Sequence, residues 1–329
     1  MSPIELNLMI RMLWGVRTIW QLIEFRKYMQ SGETELRQDV DSPGGNSYVS
    51  GIRRCTSVLT KHRAKETHSA EGTGGTIIRV VAYNFLTGGS ERRSGHWGRV
   101  VRTLTPDLVL AQECRPPAGS PGEKFRPAAD DTLLWKPVSG RRWGSALLSR
   151  SVHLKPLRVP GFEGWVTGAE MAGPSWSSRR RLRIFSIHGP VGEKGYIRTM
   201  HLIIDRIARL RDGADLLLGG DFNVAVGYRR PEDIIKMSRG EKEILDRLSV
   251  ELDLVSCWQA AHPGRPLAQT LRWSANRSAP YHCDGIFVQS SWIRRMVSCR
   301  VVRGSRWNAL SDHNPVVAEF SGGTTRKPE

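Results

Sequence analysis

Four short polar clusters, each beside an apolar run, constrain this chain more than any other feature. They are Asn84, Glu113, Asp221-Phe222-Asn223 and Ser311-Asp312-His313, next to runs at 77–83, 108–111, 216–218 and 316–320. Such runs, short and rich in Val, Ile and Leu, read as buried strands. Carboxylates and amides at the ends of hydrophobic strands lose much of their hydration, a cost that pairing or metal coordination offsets. Four clusters of this kind point to one site, and their chemistry points to a divalent cation and a phosphate ester.

The pattern between the clusters suits a layered fold. A strand at 145–149 precedes one at 182–187 that ends at His188, and another at 284–288 opens on Asp284. Apolar residues recur at helical spacing at Ile197, Met200, Ile203, Ile204, Ile207 and Leu210. A short helical stretch at 99–104 is closed by Thr105-Pro106-Asp107. Many strands with few helices imply two packed sheets with helices outside, an α/β sandwich of roughly 250 residues in one domain. That domain is expected over residues 76–321, with a disordered tail at 322–329.

The first quarter is different. Residues 1–30 predict an amphipathic helix, in which Met9, Met12, Leu13, Val16, Ile19, Trp20 and Ile23 lie opposite a polar arc. Glu5, Arg11, Arg17 and Glu24 interrupt it, so no transmembrane span is expected. It also lacks the clean apolar centre and cleavage site of a secretory signal. Its apolar face suits docking, self-association or peripheral membrane contact. Residues 31–75 are rich in Ser, Gly, Thr and charge and predict a flexible linker.

The formal charge is +17, of which residues 1–76 carry only ten Lys/Arg against eight Asp/Glu, so the body of the chain holds +15. A basic body draws polyanions, among them nucleic acid and anionic headgroups. Five cysteines, an odd number without a C-x-x-C pair, argue against a disulfide framework or a zinc site. Buried thiols in a reducing, cytoplasmic setting are expected.

Seven segments in order, Tyr83-Asn84, Leu110-Ala111-Gln112-Glu113, Gly144 to Ser149, Ile187-His188, Gly220-Asp221-Phe222-Asn223, Cys283 to Val288 and Ser311 to Pro315, give the chain a family likeness. It resembles the endonuclease/exonuclease/phosphatase, or deoxyribonuclease I-like, superfamily from about residue 77 to 320. The resemblance implies a four-layer α/β sandwich, two central mixed sheets flanked by helices, with the site at one edge of the sheets.

Phosphodiester hydrolysis needs charge neutralisation, an activated water and help for the leaving group. Glu113 is a hard oxygen ligand for Mg²⁺, with Mn²⁺ as a substitute, and Asn84 would add a neutral ligand or orient that shell. Either residue alone would read as a strand-end cap or surface ion pair; the other clusters change that reading. Asp221 and Asn223, one residue apart, would point the same way in an extended segment, with Phe222 opposite. By resemblance this pair orients the nucleophile and stabilises the transition state. Asp312 and His313 are adjacent and would face apart if extended, so a turn or separate roles must reconcile them.

The resemblance places Asp312 with the metal and makes His313 the acceptor of the water's proton, oriented by Asp284. His188 would be a general acid, as in deoxyribonuclease I-like members. The Glu that partners it there is replaced by Gly140-Arg141-Arg142-Trp143. Arg115 resembles an arginine that contacts substrate phosphate. The expected activity is therefore a Mg²⁺-dependent nuclease acting on DNA or RNA. The alternatives are a phosphatase or phosphodiesterase on inositol phosphates or sphingomyelin-like lipids, and a silent polyanion-binding protein on the same fold.

Overall fold

The computed structural model describes residues 77–87, 95–117, 127–150, 152–171, 180–192, 195–274, 276 and 278–322. The expected amino-terminal helix and linker lie outside them, as does the expected tail at 322–329 apart from its first residue. The described part runs β1 (Ile77–Asn84), α1 (His96–Leu104), β2 (Leu108–Cys114), β3 (Thr132–Pro137), β4 (Gly144–Ser149), β5 (Leu154–Leu157), β6 (Val166–Met171) and β7 (Leu182–His188). It continues with α2 (Gly195–Leu210), β8 (Asp215–Asp221), α3 (Arg239–Asp246), β9 (Leu254–Ser256), α4 (Cys257–Ala261), β10 (Asp284–Gln289), β11 (Met296–Val301), α5 (Ser305–Asn308) and β12 (Val316–Ser321).

The strands form two six-stranded sheets, β11-β12-β1-β2-β4-β3 and β5-β6-β7-β8-β10-β9. Each is mixed: β1 runs parallel to β2 and β7 parallel to β8, and the other pairs are antiparallel. Alternation along each central strand sorts its side chains between two cores. In β1, Ile78, Val80 and Ala82 face a core shared with Ile184, Leu217 and Ile286 of the second sheet. Val81 and Tyr83 face outward, against Trp97, Val100, Val101 and Leu104 of α1. On the far side, Phe185, Leu216 and Leu218 meet Met200, Ile203, Ile204 and Ile207 of α2. Helix, sheet, sheet, helix is the four-layer α/β sandwich that the sequence predicts.

Burial on both faces explains why the central strands read as continuous apolar runs. The unforeseen strands are mostly the outermost ones, β3, β5, β9 and β11. An edge strand is half-solvated and so loses the apolar signature; β5 even carries Pro156, which an edge tolerates. The two sheets are also joined by a buried polar bridge. Gln112 Nε2 donates to Ser186 Oγ at 2.9 Å, and Ser186 Oγ donates to the Ala111 carbonyl at 3.1 Å. Cys114, Cys257, Cys283 and Cys299 are buried free thiols, with no disulfide among the described residues. No described helix is long and apolar enough to cross a membrane.

Candidate active site

Strand register assembles half the site on one level. In the second sheet, His188 at the end of β7 pairs with Asp221 at the end of β8, and Asp221 pairs with Asp284 at the start of β10. In the first sheet, Asn84 ends β1 opposite Gln112. Glu113 follows where the β2–β4 register shifts between Ala111 and Cys114, and its φ is +46°. A bulge with a left-handed residue re-aims a side chain, here toward the neighbouring sheet.

The two sheets meet at Asn84. Its Nδ2 donates to Asp221 Oδ2 at 2.9 Å and lies 3.4 Å from Glu113 Oε1, while its Oδ1 accepts from Leu86 N at 2.9 Å. Thr87 N donates to Glu113 Oε2 at 3.1 Å. The turn between α5 and β12 is tied to the same strand: Ser311 Oγ donates to the Asn84 carbonyl at 2.8 Å and accepts from His313 N at 3.0 Å.

Asp221 and Asn223 do share one side, but extension is not the reason. Asn223 has φ +54°, and its N–H donates to Asp221 Oδ1 at 3.0 Å, closing an Asx turn. Asn223 Nδ2 then donates to the Gly189 carbonyl at 2.9 Å, and Phe222 is buried behind the turn against Phe287. Gly220 makes the turn's approach possible. Its φ is +141°, and a Cβ there would lie 2.0 Å from the Ile187 carbonyl oxygen. A turn also reconciles Asp312 with His313: His313 Nε2 lies 3.8 Å from Asp312 Oδ1 and 3.8 Å from Asp221 Oδ2.

His313 is the best-held member. Its Nδ1 lies 2.9 Å and 3.0 Å from the two Asp284 carboxylate oxygens, so the tautomer assigned from this geometry is Nδ1–H with Nε2 turned into the site. Burial alone would lower its proton affinity, but the carboxylates of Asp284, Asp221 and Asp312 outweigh burial and hold the imidazole well above its ordinary range. Burial raises the carboxyls of Glu113 and Asp221, with His313 pulling both back down.

His188 sits in a different environment. Its Nε2 is 3.5 Å from Glu113 Oε1 and 3.8 Å from Asp221 Oδ2. Trp143 and Trp165 flank the ring at 5.7 Å and 5.2 Å between centroids, and its buried Nδ1 has no hydrogen-bond partner. Burial pulls its proton affinity down. Trp143, from the segment that lacks the family's Glu, therefore packs beside this histidine as an apolar neighbour. Arg115 follows β2 with its Nε buried and without a hydrogen-bond partner, and its carbonyl accepts from Trp97 Nε1 at 2.8 Å.

Cys283, which opens the segment Cys283 to Val288 but has no role read from sequence, also enters the site. Its Sγ donates to Asp284 Oδ2 at 3.6 Å, and it forms with Asp221, Asp284 and His313 a buried group whose ligand atoms lie within 4.8 Å of one another. This quartet is a poor home for a hard cation. Burial, helped by Asp284 and Asp221, keeps the thiol protonated, and His313 Nδ1 is spent on Asp284. It is better described as the Asp284 carboxylate held between His313 and Cys283, with Asp221 close by.

The neighbouring His282 makes a separate prediction. Its Nδ1 contacts the Ala268 carbonyl, and burial lowers its pKa to about 4. The unfolded chain takes up this proton near pH 6.5, so the residue's contribution is complete above that value and is lost as pH falls toward 4. The loss amounts to roughly 3 kcal/mol. Urea midpoints measured at pH 7.5 and 4.5 should separate less in His282→Gln than in the wild type; an equal separation refutes the assignment.

No protein-family model and no curated protein matches this sequence. Solved structures do. An AP endonuclease from Archaeoglobus fulgidus superposes with TM-score 0.53 at 19% identity, covering 74% of this chain and 99% of that one. The endonuclease domain of TRAS1, a telomere-specific non-LTR retrotransposon, gives 0.53 at 15% identity, covering 75% and 99%. An endonuclease/exonuclease/phosphatase from Bacteroides vulgatus gives 0.55 at 17% identity, covering 75% and 100%. The described domain thus has the deoxyribonuclease I-like fold.

Proposed function

We propose that this protein is a divalent-metal-dependent phosphodiester hydrolase whose substrate is nucleic acid. The observation that carries the reading is the convergence of Asn84, Glu113, His188, Asp221, Asp284 and His313 from five strands and one turn across two sheets. The donor set suits a hard cation. Glu113 offers a largely buried carboxylate, its side chain 18% exposed, and Asp312 has a buried Oδ1 without a hydrogen-bond partner. These two would hold the ion, and Asn84, whose oxygen is already taken by Leu86 N, would orient Glu113 through its amide. A bound Mg²⁺ or Mn²⁺ would neutralise phosphate charge, which four neighbouring carboxylates otherwise repel.

The remaining roles follow from the protein's own groups. Asp221 and Asn223, fixed by their Asx turn, would orient the attacking water. His313 would accept its proton at Nε2, with Asp284 stabilising the imidazolium that results. The two imidazoles are driven in opposite directions, His313 up and His188 down. In the metal-free protein this makes His313 the better proton donor and His188 the better acceptor, so His313 as base and His188 as acid rest on the family resemblance and on a bound cation and phosphate redistributing the charge around them. Arg115, with an unsatisfied Nε, would meet a phosphate oxygen.

Nucleic acid is favoured by charge. The body carries +15, and the exposed Arg141 and Arg142 lie on the β3–β4 hairpin next to Trp143, beside His188. The deciding assay incubates purified protein with Mg²⁺, Mn²⁺ or EDTA and supercoiled DNA, single-stranded DNA, RNA, sphingomyelin or inositol phosphates. Metal-dependent cleavage of a polynucleotide is expected. Turnover confined to lipid or inositol phosphates would sink the nucleic-acid assignment, and no turnover with any metal would sink the hydrolase.

A further inference from the structure

The two members of the His313–Asp284 pair are anchored to different sheets. Asp284 opens β10 in the second sheet, whereas the His313 turn is tied to the first through Ser311 and Asn84. Residues 269–272 bond to both sides. Thr270, fully buried, accepts at its Oγ1 from the backbone N–H groups of Cys283 and Asp284, each at 3.1 Å. Its carbonyl accepts from Asn314 N at 2.7 Å, and Arg272 N donates to the Asp312 carbonyl at 2.9 Å. Leu271 forms bridges to both Tyr281 and His313.

Side chains complete the clasp. The Arg272 guanidinium donates to Asn314 Oδ1 and to the Ser311 carbonyl, and it lies 3.4 Å from the His313 carbonyl oxygen. Asn314 Nδ2 returns a bond to the Gln269 carbonyl at 3.2 Å. A planar, forked donor suits this task, because it can hold several carbonyls of one turn at fixed angles. We propose that Thr270 and Arg272 are positioning residues that set the distance and angle between His313 Nδ1 and the Asp284 carboxylate. The kinetic half of this proposal rests on His313 acting as the base; the geometric half does not.

A misplacement of about 1 Å costs on the order of a hundredfold in rate, so losing the clasp should act on turnover. Thr270→Val removes the oxygen that both amides share and keeps the side-chain shape. Arg272→Gln removes the fork at a half-buried position. The direct readout is the low-field proton resonance of the His313 Nδ1–H in metal-free protein, assigned by its loss in His313→Gln. Thr270→Val and Arg272→Gln should shift or broaden it, and should lower kcat roughly ten- to a hundredfold with KM nearly unchanged. Thr270→Ser, which restores the acceptor, should recover both.

An unmoved resonance in both Thr270→Val and Arg272→Gln overturns the proposal, as does a Thr270→Ser protein as impaired as Thr270→Val. If Thr270→Val does not fold, the Arg272→Gln comparison decides alone. A displaced resonance in a protein whose wild type cleaves no phosphodiester supports the clasp and defeats the hydrolase reading. Cleavage by a protein whose resonance ignores both substitutions does the reverse.

Discussion

His313→Ala should lower kcat for metal-dependent cleavage by about 10²–10⁴-fold, the usual worth of a positioned proton acceptor. The effect is expected on kcat rather than KM, because Nε2 faces the reacting centre and the ring is held from behind by Asp284. Its basicity is environmental: Asp284, Asp221 and Asp312 overcome a burial that would otherwise suppress the charged ring. Asp284→Asn should therefore reproduce much of the loss while leaving the imidazole in place. Single-turnover rates with the best substrate from the assay panel provide the measurement. A His313→Ala enzyme within a few-fold of wild type would remove His313 from the chemistry and reopen the assignment of the base.

Glu113→Gln should separate metal binding from folding. Losing the principal hard oxygen is expected to weaken Mg²⁺ or Mn²⁺ binding by roughly a hundredfold or more, so activity should fall at fixed metal and recover in part as metal is raised. The metal-free protein should respond the other way. Burial raises the Glu113 carboxyl, and only His313 and hydrogen bonds from Asn84 and Thr87 relieve the charge. An isosteric amide removes that buried charge, so the variant should melt at the same temperature as wild type or higher without metal, and gain less when metal is added. Calorimetric titration with Mn²⁺ and melting with and without the ion test both halves. Unchanged Mn²⁺ affinity would move the cation site away from Glu113.

A joint outcome matters for substrate choice. The carboxylate-rich centre lies in a strongly basic body, so a polyanion is drawn to the surface while its scissile phosphate is repelled until a cation is present. Salt and chelator should thus act separately. Salt should weaken substrate capture, whereas EDTA should abolish turnover and leave capture on the basic surface.

The chain's own pattern determines the two-sheet core and which polar residues stand at the strand ends that converge. Strands buried on both faces must be apolar along their length, so β1, β2, β4, β7, β8, β10 and β12 are legible, and the polar residues that interrupt them stand out at their ends. Asn84, Glu113, His188, Asp221, Asp284 and His313, which the fold gathers into one polar cluster, stand out that way. The edge strands and β6 are not, because solvent on one side, or small and polar residues along the strand, erases the signal.

Only the tertiary structure decides how those residues meet. Asp221 and Asn223 share a side through a left-handed turn and not through extension, and Glu113 reaches the other sheet through a bulge. Strand register puts His188, Asp221 and Asp284 on one level, and the packing of the sheets lets Asn84 bond to Asp221. The environments that push His313 up and His188 down, and the clasp at Thr270 and Arg272, arise from partners distant in sequence. Local apolar periodicity is a one-dimensional property and survives in the sequence. Proton affinity, tautomer and reach depend on what the folded chain brings within a few ångströms, and no spacing along the chain encodes that.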